Sequence, residues 1–208
     1  AARLPADNAE LARLRAALGG RPVWLLASTH PGEEGPLAAE HAGLAARHPG
    51  LLTLVVPRHP DRGAELARAL GAPRRGAGDR PPEGGIWIAD TMGEMGLWYR
   101  LADAVFVGRS LLPPGGGQNP LEPARLGRAV SVGPHTGNFA EHVALLRAAG
   151  GLRVVADAAD AARFADAMLA DPAKRDALGR AGERAAARHA GLPAETAAAI
   201  LQHLRPGA

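Results

Sequence analysis

Short apolar runs alternate along this chain with amphipathic stretches. Residues 23–27, 51–56, 86–89, 104–107, 129–132 and 152–155 are near-continuous apolar runs of strand length. Runs of this kind predict strands buried on both faces. Residues 33–47, 61–70, 94–101, 120–126, 139–149 and 159–169 carry apolar positions at helical spacing and predict helices between them. Strands joined by helical crossovers imply an α/β fold with a Rossmann-like, doubly wound parallel sheet. Two further helices are predicted in the tail, at 172–188 and 193–204. A polar helical segment at 7–18 places Leu11, Leu14 and Leu18 on one face. The Pro/Gly/Arg-rich stretch 73–85 predicts an exposed, mobile loop with room for a short edge strand. No internal repeat is visible, and one domain is the simplest organisation.

Composition narrows the classes. The apolar fraction of 47% is enough for a core, but aromatics are only 3%, so Ala, Leu and Val must build it. The absence of cysteine removes disulfides and thiolate metal sites and fits a reducing compartment. No apolar run reaches bilayer length, and no signal-peptide pattern is present. The pI of about 10.4 resembles a nucleic-acid signature, yet the formal charge is only +3. Lys174 is the only lysine and Tyr99 the only tyrosine, so a small excess of arginine drives the value. The arginines are scattered and not interleaved with aromatics, which argues against nucleic acid as a partner. A modest attraction to anionic membrane surfaces stays open.

The candidate chemistry gathers at the predicted strand ends, where ligands of doubly wound sheets sit. After the fourth strand, Gly108-Arg109-Ser110-Leu111-Leu112-Pro113-Pro114-Gly115-Gly116-Gly117-Gln118 leads into Asn119-Pro120-Leu121-Glu122. Asn can cap a helix and Pro suits its first turn, so the pattern is strand, mobile glycine loop, helix start. Such a start attracts anions, most often phosphate, and Glu122 is placed to accept from ribose hydroxyls. The first strand leads to Ser28-Thr29-His30-Pro31-Gly32-Glu33-Glu34, whose acids favour a helix dipole. The second leads to Pro57-Arg58-His59-Pro60, a stiffly held guanidinium suited to phosphate or carboxylate. The third leads to Asp90-Thr91-Met92-Gly93-Glu94, where Asp90 or Thr91 can cap a helix and Met92-Gly93 can lie close to a flat base. The fifth leads to Gly133-Pro134-His135-Thr136-Gly137-Asn138-Phe139. Each turn alone is equally an ordinary capped helix start. Together they describe a nucleotide or nucleotide-sugar pocket. No Walker Gly-Lys-Ser/Thr, Gly-x-Gly-x-x-Gly, His-Glu-x-x-His, Asp-x-Asp or Gly-x-Ser-x-Gly pattern competes with that reading.

These motifs, in this order across residues 23 to 142, resemble the C-terminal half of 3-deoxy-D-manno-octulosonic acid (Kdo) transferases. The resemblance implies the C-terminal lobe of a GT-B glycosyltransferase, in which two Rossmann-like lobes enclose the active site. The family moves Kdo from CMP-Kdo to lipid A precursors at the cytoplasmic face of the inner membrane, in lipopolysaccharide biosynthesis. The transfer inverts the anomeric centre and needs no cofactor or tightly bound metal. The resemblance divides the chain into an inter-lobe linker helix, 1–21, and a donor-binding domain, 22–208. It places the acceptor site, the general-base glutamate and the membrane anchor in an N-terminal lobe not represented here. No catalytic residue is therefore expected in this chain, which alone would be inactive.

By the same resemblance, Arg58 meets the CMP phosphate or the Kdo carboxylate, and Pro57 flanks the base. Met92, Gly93 and Glu94 line the cytidine side. Asn119 and the amides of Pro120-Leu121-Glu122 face phosphate, with Glu122 on the ribose. Ser28 and His30 border the leaving group. Three positions depart from the family pattern. Gln118 stands where a His is usual, with an extra glycine among Gly115 to Gly117. Arg109 occupies a position where a small residue is common, and Pro31 one that is usually acidic. Gln118 cannot carry a cation, and Arg109 is the candidate replacement. Another UDP-sugar transferase or epimerase lobe, and a non-catalytic nucleotide-binding module, remain as alternatives.

Overall fold

The computed structural model describes residues 3–203, with side chains described to residue 188. Six parallel strands form one sheet in the order β3-β2-β1-β4-β5-β6. They are β1 (Val23–Thr29), β2 (Leu52–Pro57), β3 (Gly85–Ile88), β4 (Ala104–Val107), β5 (Ala129–Val132) and β6 (Leu152–Val154). The expected runs all became strands; β1, β2, β4 and β5 are buried on both faces almost throughout, and the edge strands β3 and β6 are partly exposed. In β1, Val23, Leu25 and Ala27 join one core layer while Trp24 and Leu26 join the other. That is the two-residue period of a strand.

Helices cover both faces. One layer holds α1 (Asn8–Leu18), α5 (Met95–Leu101), α6 (Leu121–Ala124), α7 (Ala140–Ala148) and α9 (Pro172–His203). The opposite layer holds α2 (Glu34–Ala39), α3 (His41–Ala45), α4 (Gly63–Leu70) and α8 (Ala158–Ala170). Asp7 caps α1, its Oδ1 accepting from Ala9 N–H at 2.8 Å and Glu10 N–H at 3.1 Å. Leu11, Leu14 and Leu18 are buried on the same core layer, so α1 packs onto the sheet rather than standing free.

Three expectations need correction. Residues 33–47 form two short helices, not one. The chain turns at Glu40, and His41 Nδ1 lies 2.8 Å from Thr53 Oγ1 on β2, which holds the second helix against the sheet. The tail forms one helix, Pro172–His203, not two; Pro193 removes one helical N–H without ending the helix. The expected edge strand in 73–85 shrinks to a single parallel bridge, Arg74 to Ile88, followed by a 3₁₀ turn at Arg75–Ala77.

Topology fixes where a ligand can sit. The chain builds β1, β2 and β3 outward on one side, then returns to lay β4 against β1 and continues the other way. The turns after β1 and β4 diverge at that reversal and open a crevice at the carboxyl ends of the strands.

Candidate functional site

The crevice is shaped by a buried carboxylate. Glu33 is 2% exposed. Its Oε2 accepts from His30 N–H at 2.9 Å and Arg109 N–H at 2.7 Å. Its Oε1 accepts from Ser110 and Leu111 N–H, each at 2.9 Å. Glu33 therefore ties the turn after β1 to the turn after β4. Both turns are strained, with Ser28 at φ +54° and Arg109 at φ +55°. Non-glycine residues adopt that region at a cost. Ser28 sits where the pairing register of β1 with β2 shifts between Ala27 and Thr29, a bulge that ends the strand. Gly108 is required: a Cβ there would lie 2.7 Å from both Ser28 O and Thr29 Cα.

The glycine loop is laced in place. Gly117 N–H donates to Arg109 O at 2.7 Å and Gly116 N–H to His135 O at 3.0 Å, while Asn138 N–H donates to Gly116 O at 2.9 Å. The turn after β5 thus supports the loop. Gln118 Nε2–H donates to His30 Nε2 at 3.2 Å. His30 also meets His59 edge to face, with ring centroids 5.7 Å apart. Burial holds the His30 pKa below its ordinary value, with Arg109 and His59 adding to that effect. A neutral ring whose Nε2 accepts from Gln118 agrees with it. His30, Pro31, Glu33, Arg109, Leu112, Pro113, Pro114 and Gly115 line a cavity of about 240 Å³ here.

Glu122 marks a second compartment. Asn119 lies just before α6, its Oδ1 accepting from Leu121 N–H at 3.1 Å. Pro120 and Leu121 are buried and hold α6 on the core. Glu122 receives only long contacts, from Asn119 Nδ2–H at 3.4 Å and Tyr99 O–H at 3.5 Å. Burial raises its pKa; hydrogen bonds from Asn119 and Tyr99 and the charges of Arg125 and Arg58 oppose that without cancelling it. Arg58, exposed on the turn after β2, is therefore close enough to act on Glu122, and its guanidinium has no hydrogen bond or ion pair among the described residues. Pro57 is the buried last residue of β2, in register with Thr29.

The turn after β3 behaves differently. Met92 is 75% exposed, and Gly93 takes φ +79°. Glu94 is occupied: Arg75 Nη2 lies 2.5 Å and Nε 2.7 Å from its carboxylate, and Thr91 Oγ1 also donates to it. Burial pushes the Glu94 carboxyl up, but Arg75 and Thr91 outweigh it and leave the pKa lowered. Arg75 also pairs with Glu10 of α1 at 2.9 Å and lies 5.0 Å above the Trp98 ring. Neither Asp90 nor Thr91 caps α5. Asp90 instead accepts from Arg74 Nη1 at 2.7 Å and Gly76 N–H at 2.6 Å, because the buried end of β3 offers no solvent to its carboxylate. A separate cleft of about 570 Å³ lies beside this network, lined in part by Glu10, Arg75, Arg80 and Glu94.

The fold thus places Ser28, His30, Arg58, Asn119 and Glu122 on the turns at the carboxyl ends of β1, β2 and β4. Met92, Gly93 and Glu94 lie on the turn after β3, where Glu94 is committed to Arg75. Among the described residues, no group of three or more His, Asp or Glu side chains converges as metal ligands.

No protein-family model matches the chain. The chain is 40% identical over 169 residues to the 3-deoxy-D-manno-octulosonic acid transferase of Haemophilus influenzae, covering 78% of this chain and 39% of that protein. It is 37% identical over 207 residues to the Bordetella pertussis enzyme of the same name, covering 95% of this chain and 48% of that protein. It superposes with TM-score 0.79 and 33% identity on the C-terminal CMP-Kdo binding domain of WaaA from Acinetobacter baumannii, covering 85% of this chain and 96% of that domain. The chain belongs to the Kdo transferase family. It corresponds to the C-terminal domain and spans less than half the length of the two curated relatives. The C-terminal domain of a group 1 glycosyl transferase from Francisella tularensis shares the GT-B fold, with TM-score 0.58 at 16% identity.

Membership in the Kdo transferase family leaves two residues that local sequence reading missed. Glu33 reads as a helix-start acid, because three of its four N–H partners lie 76 to 78 residues away. Arg75 reads as part of an exposed loop, because Glu10 and Glu94 come to it only in the folded chain.

Proposed function

We propose that this chain is the donor-binding lobe of a Kdo transferase and holds CMP-Kdo at the β1/β4 crevice. The observation that carries the reading is an unpaired cation, Arg58, beside an under-bonded carboxylate, Glu122, at the strand-order reversal. Arg58 neutralises phosphate and Glu122 accepts from ribose hydroxyls, with Asn119 between them. The exposed Met92, beside Gly93, offers apolar surface to the cytosine ring, and Pro57, buried at the end of β2, holds the turn that presents Arg58. Glu94, whose carboxylate is committed to Arg75 and Thr91, is assigned to the fold rather than to the donor. Ser28 and His30 border the departing phosphate.

In the whole enzyme, an acceptor hydroxyl of the lipid A precursor attacks the anomeric carbon, and the bond from that carbon to the CMP oxygen breaks. Its electron pair passes to the phosphate, whose charge Arg58 and N–H groups stabilise. A base in the N-terminal lobe removes the acceptor proton. In this reading α1 connects the two lobes, and the enzyme works at the cytoplasmic face of the inner membrane. No helix of the described residues is long and apolar enough to cross a membrane.

Calorimetric titration with CMP, UMP, UDP and AMP tests this reading. CMP should bind selectively with about −4 to −6 kcal/mol, roughly millimolar to tens of micromolar. A preference for UDP would transfer the lobe to another class of sugar transferase. Binding that survives Arg58→Ala and Glu122→Ala unchanged would move the donor elsewhere.

A further inference from the structure

Arg109 is costly to the fold and has no partner within it. Its backbone lies at φ +55°, where a glycine would sit with less strain. Its N–H and C=O are both engaged, by Glu33 and Gly117, so the main chain is held whatever the side chain. The side chain is exposed and has no hydrogen bond or ion pair among the described residues. It lines the 240 Å³ cavity whose other walls are His30, Pro31, Leu112, Pro113 and Pro114. Glu33 also reaches that cavity, but four N–H groups occupy its carboxylate. The cavity therefore has apolar walls, a neutral His30 and one cation with free donors.

We infer that Arg109 is a specificity-determining residue that pairs with the carboxylate of the donor's sugar acid. The inference rests on the donor-pocket reading above and divides the ligand between two compartments. Arg125 offsets Glu122. Arg58 and Arg109 then remain as two cations at neighbouring turns, neither with a hydrogen bond or ion pair among the described residues. A CMP-linked keto sugar acid carries two anions, one phosphodiester and one carboxylate. Arg58 takes the first, and the planar fork of Arg109 matches the second.

The test compares wild type, Arg109→Gly, Arg109→Lys and Arg58→Ala for affinity toward CMP and freshly prepared CMP-Kdo, alongside thermal melting. Glycine suits the positive φ, so Arg109→Gly should melt higher than wild type, which separates loss of binding from loss of fold. Wild type should prefer CMP-Kdo over CMP by about tenfold, and Arg109→Gly should erase that preference while holding CMP affinity within about twofold. Arg109→Lys should keep part of the preference. Equal weakening of both ligands in Arg109→Gly would make Arg109 a phosphate ligand and overturn the inference. So would an unchanged preference. A wild type that binds CMP with no gain for CMP-Kdo leaves the donor pocket standing and removes the role of Arg109. A wild type that binds neither ligand removes both.

Discussion

Two pairs of arginines stand at the carboxyl edge of the same sheet and do opposite things. Arg74 and Arg75, beside β3, are fully engaged: Arg74 holds Asp90, and Arg75 joins Glu94, Glu10 and the Trp98 ring. Arg58 and Arg109, at the turns after β2 and β4, meet no side-chain partner among the described residues. The carboxylates repeat the contrast. Glu33 is saturated by four N–H groups, while Glu122 has only two contacts of 3.4 and 3.5 Å. A group whose bonds are complete serves the fold. A charged group left incomplete beside a crevice is available for a ligand. The β3 end is the structural half of this edge, and the β1/β4 crevice is the binding half.

Glu33→Gln should break that division most severely. The amide oxygen cannot replace two carboxylate oxygens that serve four donors, and buried N–H groups lose their acceptor. We expect about 3 kcal/mol lower stability in urea unfolding, with CMP binding lost as the two turns separate. Arg58→Ala should do the reverse. CMP affinity should fall about 10- to 30-fold, roughly 1.4 to 2 kcal/mol, with an almost unchanged melting temperature, since the side chain has nothing to lose within the fold. Arg75→Ala should cost about 1 to 2 kcal/mol of stability through its screened ion pairs and ring contact. It should change CMP affinity by less than about threefold. A large affinity loss there, measured by calorimetry, would show that the Glu94 network belongs to the binding half.

The smallest effect is a pH dependence. Burial raises the Glu122 pKa above its ordinary value, so ionising it costs the free fold stability. The sign follows from linkage: stability is full below the ordinary carboxylate range and is lost as pH rises through the elevated value. Glu122→Gln should match wild type in acid, melt higher at neutral pH, and bind CMP several-fold more weakly. If the melting difference is independent of pH, Glu122 does not titrate as described.

The layered α/β fold was legible because its central strands are buried on both faces and leave dense apolar runs that need no long-range information. The six predicted runs each contain the core of a strand, with ends shifted by one or two residues at β1, β2, β3 and β6. The helices were legible in position but not in continuity, since the break at Glu40 depends on His41 reaching Thr53 on another strand. The strand-end motifs indicated the right edge of the sheet. They did not show which charged residues would already be paired. Glu33 and Glu94 looked alike as acids near helix starts, and only folding sends one to backbone N–H groups and the other to Arg75.

The most direct test of this division is a backbone amide NMR titration of the chain with CMP. The account predicts shifts concentrated at residues 28–30, 58–59, 92–93 and 109–122, with residues 75–80 nearly still. Shifts confined to 75–80 and Glu10, beside the cleft at Arg75 and Arg80, would contradict it and place the nucleotide at the edge assigned here to the fold.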